Sequence, residues 1–125
     1  MKILIFDDDV IIVTAIKTFL TFHGYNVRAE TESENAKAII DEFDPDIVVS
    51  DLMMPYVSGT EILDYIKNKK DKYIPVILIS ALDQQEVILM AFESGADDFV
   101  NKPIDPSELL MRIKINSSKV KKNIN

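Results

Sequence analysis

The sequence predicts an α/β fold, a doubly wound five-stranded parallel sheet covered by five helices. Three observations carry this. Residues 2–6 (KILIF), 46–50 (DIVVS) and 75–80 (PVILIS) are near-continuous apolar runs, as strands buried on both faces are. Longer stretches of helical period separate the runs, with two weaker strands at 26–30 (NVRAE) and 98–100 (DFV) completing the alternation. Five β–α pairs in strict succession imply parallel strands joined by helical crossovers.

Each element has its own signal. Strand 2–6 runs into Asp9, an N-cap for a helix over 10–23, because a short carboxylate satisfies the free N–H groups of a first turn. Gly24 ends that helix, and His23 stands at its end, where a charged imidazole suits the dipole. Strand 26–30 leads to a helix over 32–43, and strand 46–50 to a helix over 59–70. Strand 75–80 precedes a helix over 84–94, closed by Gly95. Asp97 and Asp98 read as turn residues at the entry to the last strand. The stretch DPSE at 105–108 opens a helix over 106–118, with an Asp cap, Pro in the first turn and Glu closing a capping box. On the fourth helix Ile88, Leu89, Ala91 and Phe92 share an inward arc with Met90 outside it. On the last, Leu109, Leu110 and Ile113 face in while Met111 and Ile115 face out.

The 125 residues suit one domain, placed at 1–118, with 119–125 as a C-terminal tail or the start of a linker. Apolar residues make up 47%, enough for a proper core, and the absence of cysteine excludes disulfide and thiol chemistry. A net charge of −7 argues against direct contact with nucleic acid or an anionic membrane surface. No apolar run approaches the ~20 residues that span a bilayer, and the N-terminus lacks the pattern of a secretion signal. The expected location is the cytoplasm.

In an open α/β sheet, ligands bind beyond the carboxyl ends of the strands. Asp7, Asp8 and Asp9 follow the first strand, Asp51 the third, Ser80 and Ala81 the fourth, and Lys102 and Pro103 the fifth. One helix needs one cap, so Asp9 leaves Asp7 and Asp8 unexplained. Like charges gathered with Asp51 in one crevice raise one another's pKa unless something neutralises them. A hard divalent cation, Mg²⁺ or Mn²⁺, is the simplest answer. A carboxylate beside it can attack a phosphoryl group and become an aspartyl-phosphate, with Lys102 and Ser80 meeting the incoming oxygens.

These residues in this order resemble the receiver domain of two-component response regulators, the family of the chemotaxis regulator. The matching pieces are DD at 7–8, SDLMMP at 50–55, Gly59, SA at 80–81, GADDFV at 95–100 and KP at 102–103. The resemblance spans Lys2 to about Lys114. It implies a flavodoxin-like strand order 2-1-3-4-5, Asp51 as phosphoacceptor, and Asp7, Asp8, Asp51 and the Met53 carbonyl around the metal. It also implies Lys102, beside a cis Pro103, at the acyl phosphate, with Ser80 and Phe99 as the switch pair. Small Ala81 would leave the phosphoryl entrance open. The implied partner is a sensor histidine kinase or a phosphotransfer protein. The exposed apolar residues of the fourth and fifth helices imply an output or homodimer face shared with the fifth strand. No catalytic turnover is expected beyond slow self-dephosphorylation.

Two positions depart from common family patterns. Phe99 lacks the hydroxyl of the Tyr found in many relatives. Met53 and Leu82 are apolar where relatives can carry polar side chains that place an attacking water. Two alternatives fit parts of the pattern, the second with the same sheet topology. A haloacid-dehalogenase-like phosphatase would use the Asp-x-Asp of FDDDV, yet no Gly-Thr follows it and Asp97–Asp98 precedes a strand. A flavin-binding flavodoxin would place a hydroxyl-rich phosphate loop where the three acids stand. A third reading is an interaction module that no longer accepts phosphate, against which stands the full set of site residues.

Overall fold

The computed structural model describes residues 1–69 and 71–120. Strands and helices alternate as β1 (Lys2–Phe6), α1 (Val10–Phe22), β2 (Asn26–Glu30), α2 (Ala36–Phe43), β3 (Ile47–Asp51), α3 (Gly59–Lys67), β4 (Val76–Ser80), α4 (Gln85–Glu93), β5 (Asp98–Asn101) and α5 (Pro106–Val120). The five strands form one parallel sheet in the order β2-β1-β3-β4-β5. The chain therefore reverses its direction of winding between the neighbours β1 and β3, which opens a crevice at their carboxyl ends.

The sheet separates two apolar layers. Leu4, Phe6, Val48, Val76, Leu78 and Phe99 pack against α2, α3 and α4. The alternate residues Ile3, Ile5, Ile47, Val49, Ile77, Ile79 and Val100 pack against α1 and α5. Both faces of the central strands are buried, so their sequences are continuous apolar runs without a period of two.

The caps follow the sequence closely. The Asp9 carboxylate accepts from the N–H groups of Ile11 (3.0 Å) and Ile12 (3.2 Å). Asp105 accepts from Ser107 N–H at 2.9 Å, but Glu108 does not close the expected capping box; its carboxylate turns along the helix to Arg112, 4.0 Å away. His23 is the C-cap of α1, its ring nitrogen 2.9 Å from the Phe19 carbonyl. Gly24 and Gly95 take the left-handed φ values of +93° and +107° that end α1 and α4.

Several boundaries differ from expectation. α2 begins at Ala36, four residues later than its apolar period suggests, because the Ser33 carbonyl accepts from Ala36 N–H in a turn and the Ser33 side chain is engaged elsewhere. α3 ends at Lys67 with Asn68 as its cap. α5 continues through Lys119 to Val120, which is buried against the α1 layer. The expected tail thus begins within the helix, and residues 121–125 lie outside the described residues. On α4 the inward arc is Val87, Ile88 and Ala91, with Leu89 (58%) and Phe92 (44%) exposed. Ala91 is the contact point because its small side chain lets the helix approach the sheet, which turns its larger neighbours outward. α5 keeps the expected faces, with Leu109 and Ile113 buried and Met111 and Ile115 exposed.

Candidate functional site

The crevice at the carboxyl ends of β1 and β3 holds three carboxylates. Asp7 and Asp8 leave β1 at consecutive positions, so one turns inward and the other out: Asp7 is fully buried, Asp8 exposed. Asp51 is the last residue of β3 and is buried at 6% exposure. Each of the three offers an oxygen, and these oxygens lie within 4.8 Å of one another. The Asp7 carboxylate also accepts from Asp9 N–H (2.9 Å), and Asp51 from Met53 N–H (3.3 Å).

Lys102 provides the positive charge. Its Nζ lies 2.7 Å from Asp51 Oδ2 and 3.1 Å from Asp7 Oδ2. The contact with Asp7 is off the line of a hydrogen bond, so the buried Asp7 Oδ2 has no aligned donor among the described residues. Burial pushes the Asp7 carboxyl above the usual carboxylate range, and the neighbouring Asp51 charge acts in the same direction. For Lys102 burial works against the charge, yet the Asp51 and Asp7 carboxylates hold its ammonium above the ordinary lysine value. A buried carboxylate oxygen without a donor, in a set made only of carboxylate oxygens, fits a hard divalent cation.

The rest of the predicted set lies on β4, β5 and the loops that leave the strands. Ser80 ends β4, one residue beyond Ile79, the partner of Asp51 in the ladder. It is buried, and its Oγ accepts from Leu82 N–H at 3.0 Å. Ala81 and Leu82 are exposed just past the strand, and Met53 is exposed on the loop after Asp51. The Lys102–Pro103 peptide is cis, and Lys102 N–H donates to the Ser80 carbonyl at 2.8 Å, tying the end of β5 to β4. Phe99 is buried in the α3–α4 layer, paired with Leu78.

The order of these residues along the chain decides what the notch belongs to. The family model of the response regulator receiver domain matches residues 3–114. The chain is a response regulator receiver domain. It is 38% identical to the response regulator SaeR of Staphylococcus aureus over 120 residues, which is 96% of the chain and 52% of that protein. The receiver domain of the Francisella response regulator 1452 superposes with a TM-score of 0.86 at 33% identity, covering 94% of the chain and 96% of that domain. A receiver domain protein from Methanospirillum hungatei gives 0.85 at 29% identity, covering 97% and 96%. The chain spans about half the length of the curated relatives it matches. Receivers are regulatory domains of two-component signalling, and response regulators take their signals from sensor kinases. The family typically holds Mg²⁺ in an acidic pocket, which the grouping of Asp7, Asp8 and Asp51 matches. Among the described residues, no helix of the receiver is long and apolar enough to cross a membrane.

Three polar centres of the receiver are absent from its sequence-derived site. Asp97 is no simple turn residue. At the opposite end of the sheet it accepts from Lys67 Nζ (2.8 Å), Val76 N–H (2.7 Å) and the Tyr73 hydroxyl, with Lys119 Nζ 3.3 Å away. Asp98 is the first residue of β5, buried, and bonded to Asn116 Nδ2 (3.1 Å) with Arg112 3.5 Å away. Ser33 is a buried hydroxyl between β2 and α2. Lys67 stands 30 positions from Asp97, and the partners of Ser33 stand 22 and 24 away. No local pattern encodes those meetings.

Proposed function

We propose that this receiver is a phosphorylation-activated switch whose Asp51 takes a phosphoryl group from a phosphohistidine of a sensor histidine kinase or phosphotransfer protein. The observation that carries the reading is the buried Asp51 carboxylate with Lys102 Nζ at 2.7 Å and two further carboxylates beside it. The four charged groups come from β1, β3 and the end of β5, and a merely structural role would not concentrate them at one strand-end crevice.

An Asp51 oxygen attacks phosphorus, the P–N bond of the donor breaks, and the bonding pair leaves with the imidazole nitrogen. Asp7, Asp8, Asp51 and the Met53 carbonyl are the residues that would hold Mg²⁺ or Mn²⁺. Such an ion, when bound, neutralises phosphoryl oxygens and supplies Lewis-acid stabilisation. Lys102 moves with the negative charge from the free carboxylate to the phosphoryl oxygens and orients them. Ser80, released from Leu82 N–H, turns its hydroxyl to the same group, with Ala81 leaving the entrance open and Pro103 fixing the backbone beside Lys102. Phe99 takes up the space that Ser80 vacates.

The output surface is the α4–β5–α5 face, where Leu89, Met90, Phe92, Met111 and Ile115 are exposed. Repacking there on phosphorylation controls a partner, an output domain or a second copy of the receiver. Moving such an equilibrium from mostly off to mostly on requires about 5 kcal/mol of differential interaction. One charge-assisted contact from Lys102 and one from Ser80 in a sheltered site are of that order. The −7 charge disfavours nucleic acid as a direct partner of this domain. The switch works in the cytoplasm, where sensor kinases present their phosphohistidine.

Acetyl phosphate with and without Mg²⁺ tests the reading. One phosphoryl group per chain, dependent on the cation and mapped to Asp51, is expected. Steady turnover of a phosphomonoester would favour a phosphatase instead, and incorporation unchanged by chelator would remove the cation from the reaction.

A further inference from the structure

Ser33 lies between β2 and α2, far in sequence from the notch, yet it is 3% exposed and fully engaged. Its hydroxyl donates to the Pro55 carbonyl at 2.5 Å and accepts from Val57 N–H at 3.1 Å. Val57 N–H also meets the Pro55 carbonyl at 2.9 Å, so one hydroxyl closes a triangle with both ends of the Pro55–Val57 turn. At the centre of that turn Tyr56 holds φ +70°, a conformation L side chains rarely adopt, while its own side chain is 78% exposed. Burial of the tyrosine does not hold the turn in this shape. The two hydrogen bonds to Ser33 hold it, together with the turn's own Val57 N–H to Pro55 bond.

The turn belongs to the loop that leaves Asp51. At its near end Leu52 N–H donates to the Ile79 carbonyl (2.8 Å), and at its far end Gly59 N–H donates to the Leu52 carbonyl (3.0 Å). Ser33 is the connection from a different segment to the middle of the loop. We infer that Ser33 is a positioning residue for the cation site, fixing the Pro55–Val57 turn and, through it, the Met53 carbonyl beside Asp51. This rests on the reading of the notch as a Mg²⁺-dependent phosphoacceptor site. Mg²⁺ demands near-octahedral geometry, so an oxygen carried on a loose loop contributes little to affinity, and partners that orient a ligand are felt in binding.

The test is a Mg²⁺ titration followed by backbone amide resonances, without phosphodonor, on wild type, Ser33→Ala and Ser33→Thr. Ser33→Ala should raise the half-saturating Mg²⁺ concentration about tenfold, the low end of what loss of an orienting partner costs. Ser33→Thr, which keeps the hydroxyl, should restore most of it. At saturating Mg²⁺ the labelling of Asp51 in Ser33→Ala should lie within about twofold of wild type, because no reacting group is removed. Half-saturation in Ser33→Ala equal to wild type, in a protein that binds Mg²⁺ and labels normally, overturns the inference alone. A wild type that ignores Mg²⁺ overturns the function on which it rests. Should Ser33→Ala fail to fold, hydrogen exchange at Val57 in the wild type decides: slower exchange on Mg²⁺ binding supports the coupling, and unchanged exchange ends it.

Discussion

Lys102 Nζ sits 2.7 Å from Asp51 Oδ2, in the position of a counter-ion to the carboxylate assigned the phosphoryl group. There it would compete with a divalent cation for the negative charge of the notch. Lys102→Met should therefore bind Mg²⁺ more tightly, by up to about tenfold or roughly 1.4 kcal/mol. In chelator the same variant should be less stable by about 2 kcal/mol, since a charge-assisted bond is lost. Calorimetric Mg²⁺ titration and denaturant unfolding check both, and unchanged Mg²⁺ affinity would remove Lys102 from the electrostatics of the site.

Asp51→Asn should abolish incorporation from a phosphodonor while leaving the fold intact, because the amide is nearly isosteric but poorly nucleophilic. Ser80→Ala should keep the labelling and weaken the amide shift changes on α4 and α5 that follow it. Mass spectrometry and amide spectra in the presence of beryllofluoride read the two effects. Wild-type incorporation in Asp51→Asn would be incompatible with the assignment.

Met53 and Leu82 are both exposed and apolar, and neither can hold a water for attack on the acyl phosphate. The phosphorylated domain should therefore persist for minutes to hours in Mg²⁺ without kinase. Met53→Asn should shorten that lifetime roughly tenfold, less than the ~10²-fold or more of a positioned acid or base, because an amide can orient a water but not take its proton. A wild-type lifetime of seconds would contradict the assignment.

Asp97 predicts the acid limit of the fold. Burial alone would raise its carboxyl, but Lys67, Tyr73 and Val76 N–H together hold it below the usual carboxylate value of 3.8. A carboxylate depressed in the folded state stabilises the fold fully above its unfolded pKa, and that contribution fades as pH falls through the folded pKa. Asp97→Asn should cost about 2 kcal/mol at pH 7, and the difference from wild type should shrink below pH 4. Urea unfolding of both proteins at pH 7 and pH 3 measures it.

Gly59 predicts a steric limit. A Cβ there would collide with the Asp51 carbonyl oxygen and stand 2.9 Å from Leu52 Cα, both backbone atoms that cannot rotate away. Gly59→Ala should destabilise by about 1–3 kcal/mol, the usual range for overpacking, and displace the loop after Asp51. Thermal melting and the Mg²⁺ titration report the two consequences, and a neutral substitution would show that α3 shifts freely.

The parts of this domain visible in the sequence share one property: each depends on a short stretch of chain. Continuous apolar runs placed the strands within a residue or so, since burial on both faces leaves no alternation to misread. Asp9 was a local cap. Asp7, Asp8, Asp51, Ser80 and Lys102 stood at strand ends, and parallel topology alone brings such ends to one edge. What escaped required distance in sequence. Ser33 falls inside the helix expected over 32–43, and its engagement by the distant Pro55 and Val57, which no local pattern encodes, goes with the late start of α2 at Ala36. Asp97 found Lys67 and Lys119 only after the sheet was assembled. On α4 the apolar residues outnumber the places facing the sheet, so periodicity could not choose between Leu89 and Val87.

Phe99 and Val100 are adjacent on β5 yet belong to opposite layers of the core, one with α3 and α4, the other with α1 and α5. Size changes in different layers that are also well separated in space should combine additively in their free energies, as distant substitutions without shared neighbours do. A displacement of β5 itself reaches both layers in the same movement. A strand so placed would be a rocker arm mounted in a wall, carrying one local event into two otherwise separately packed compartments.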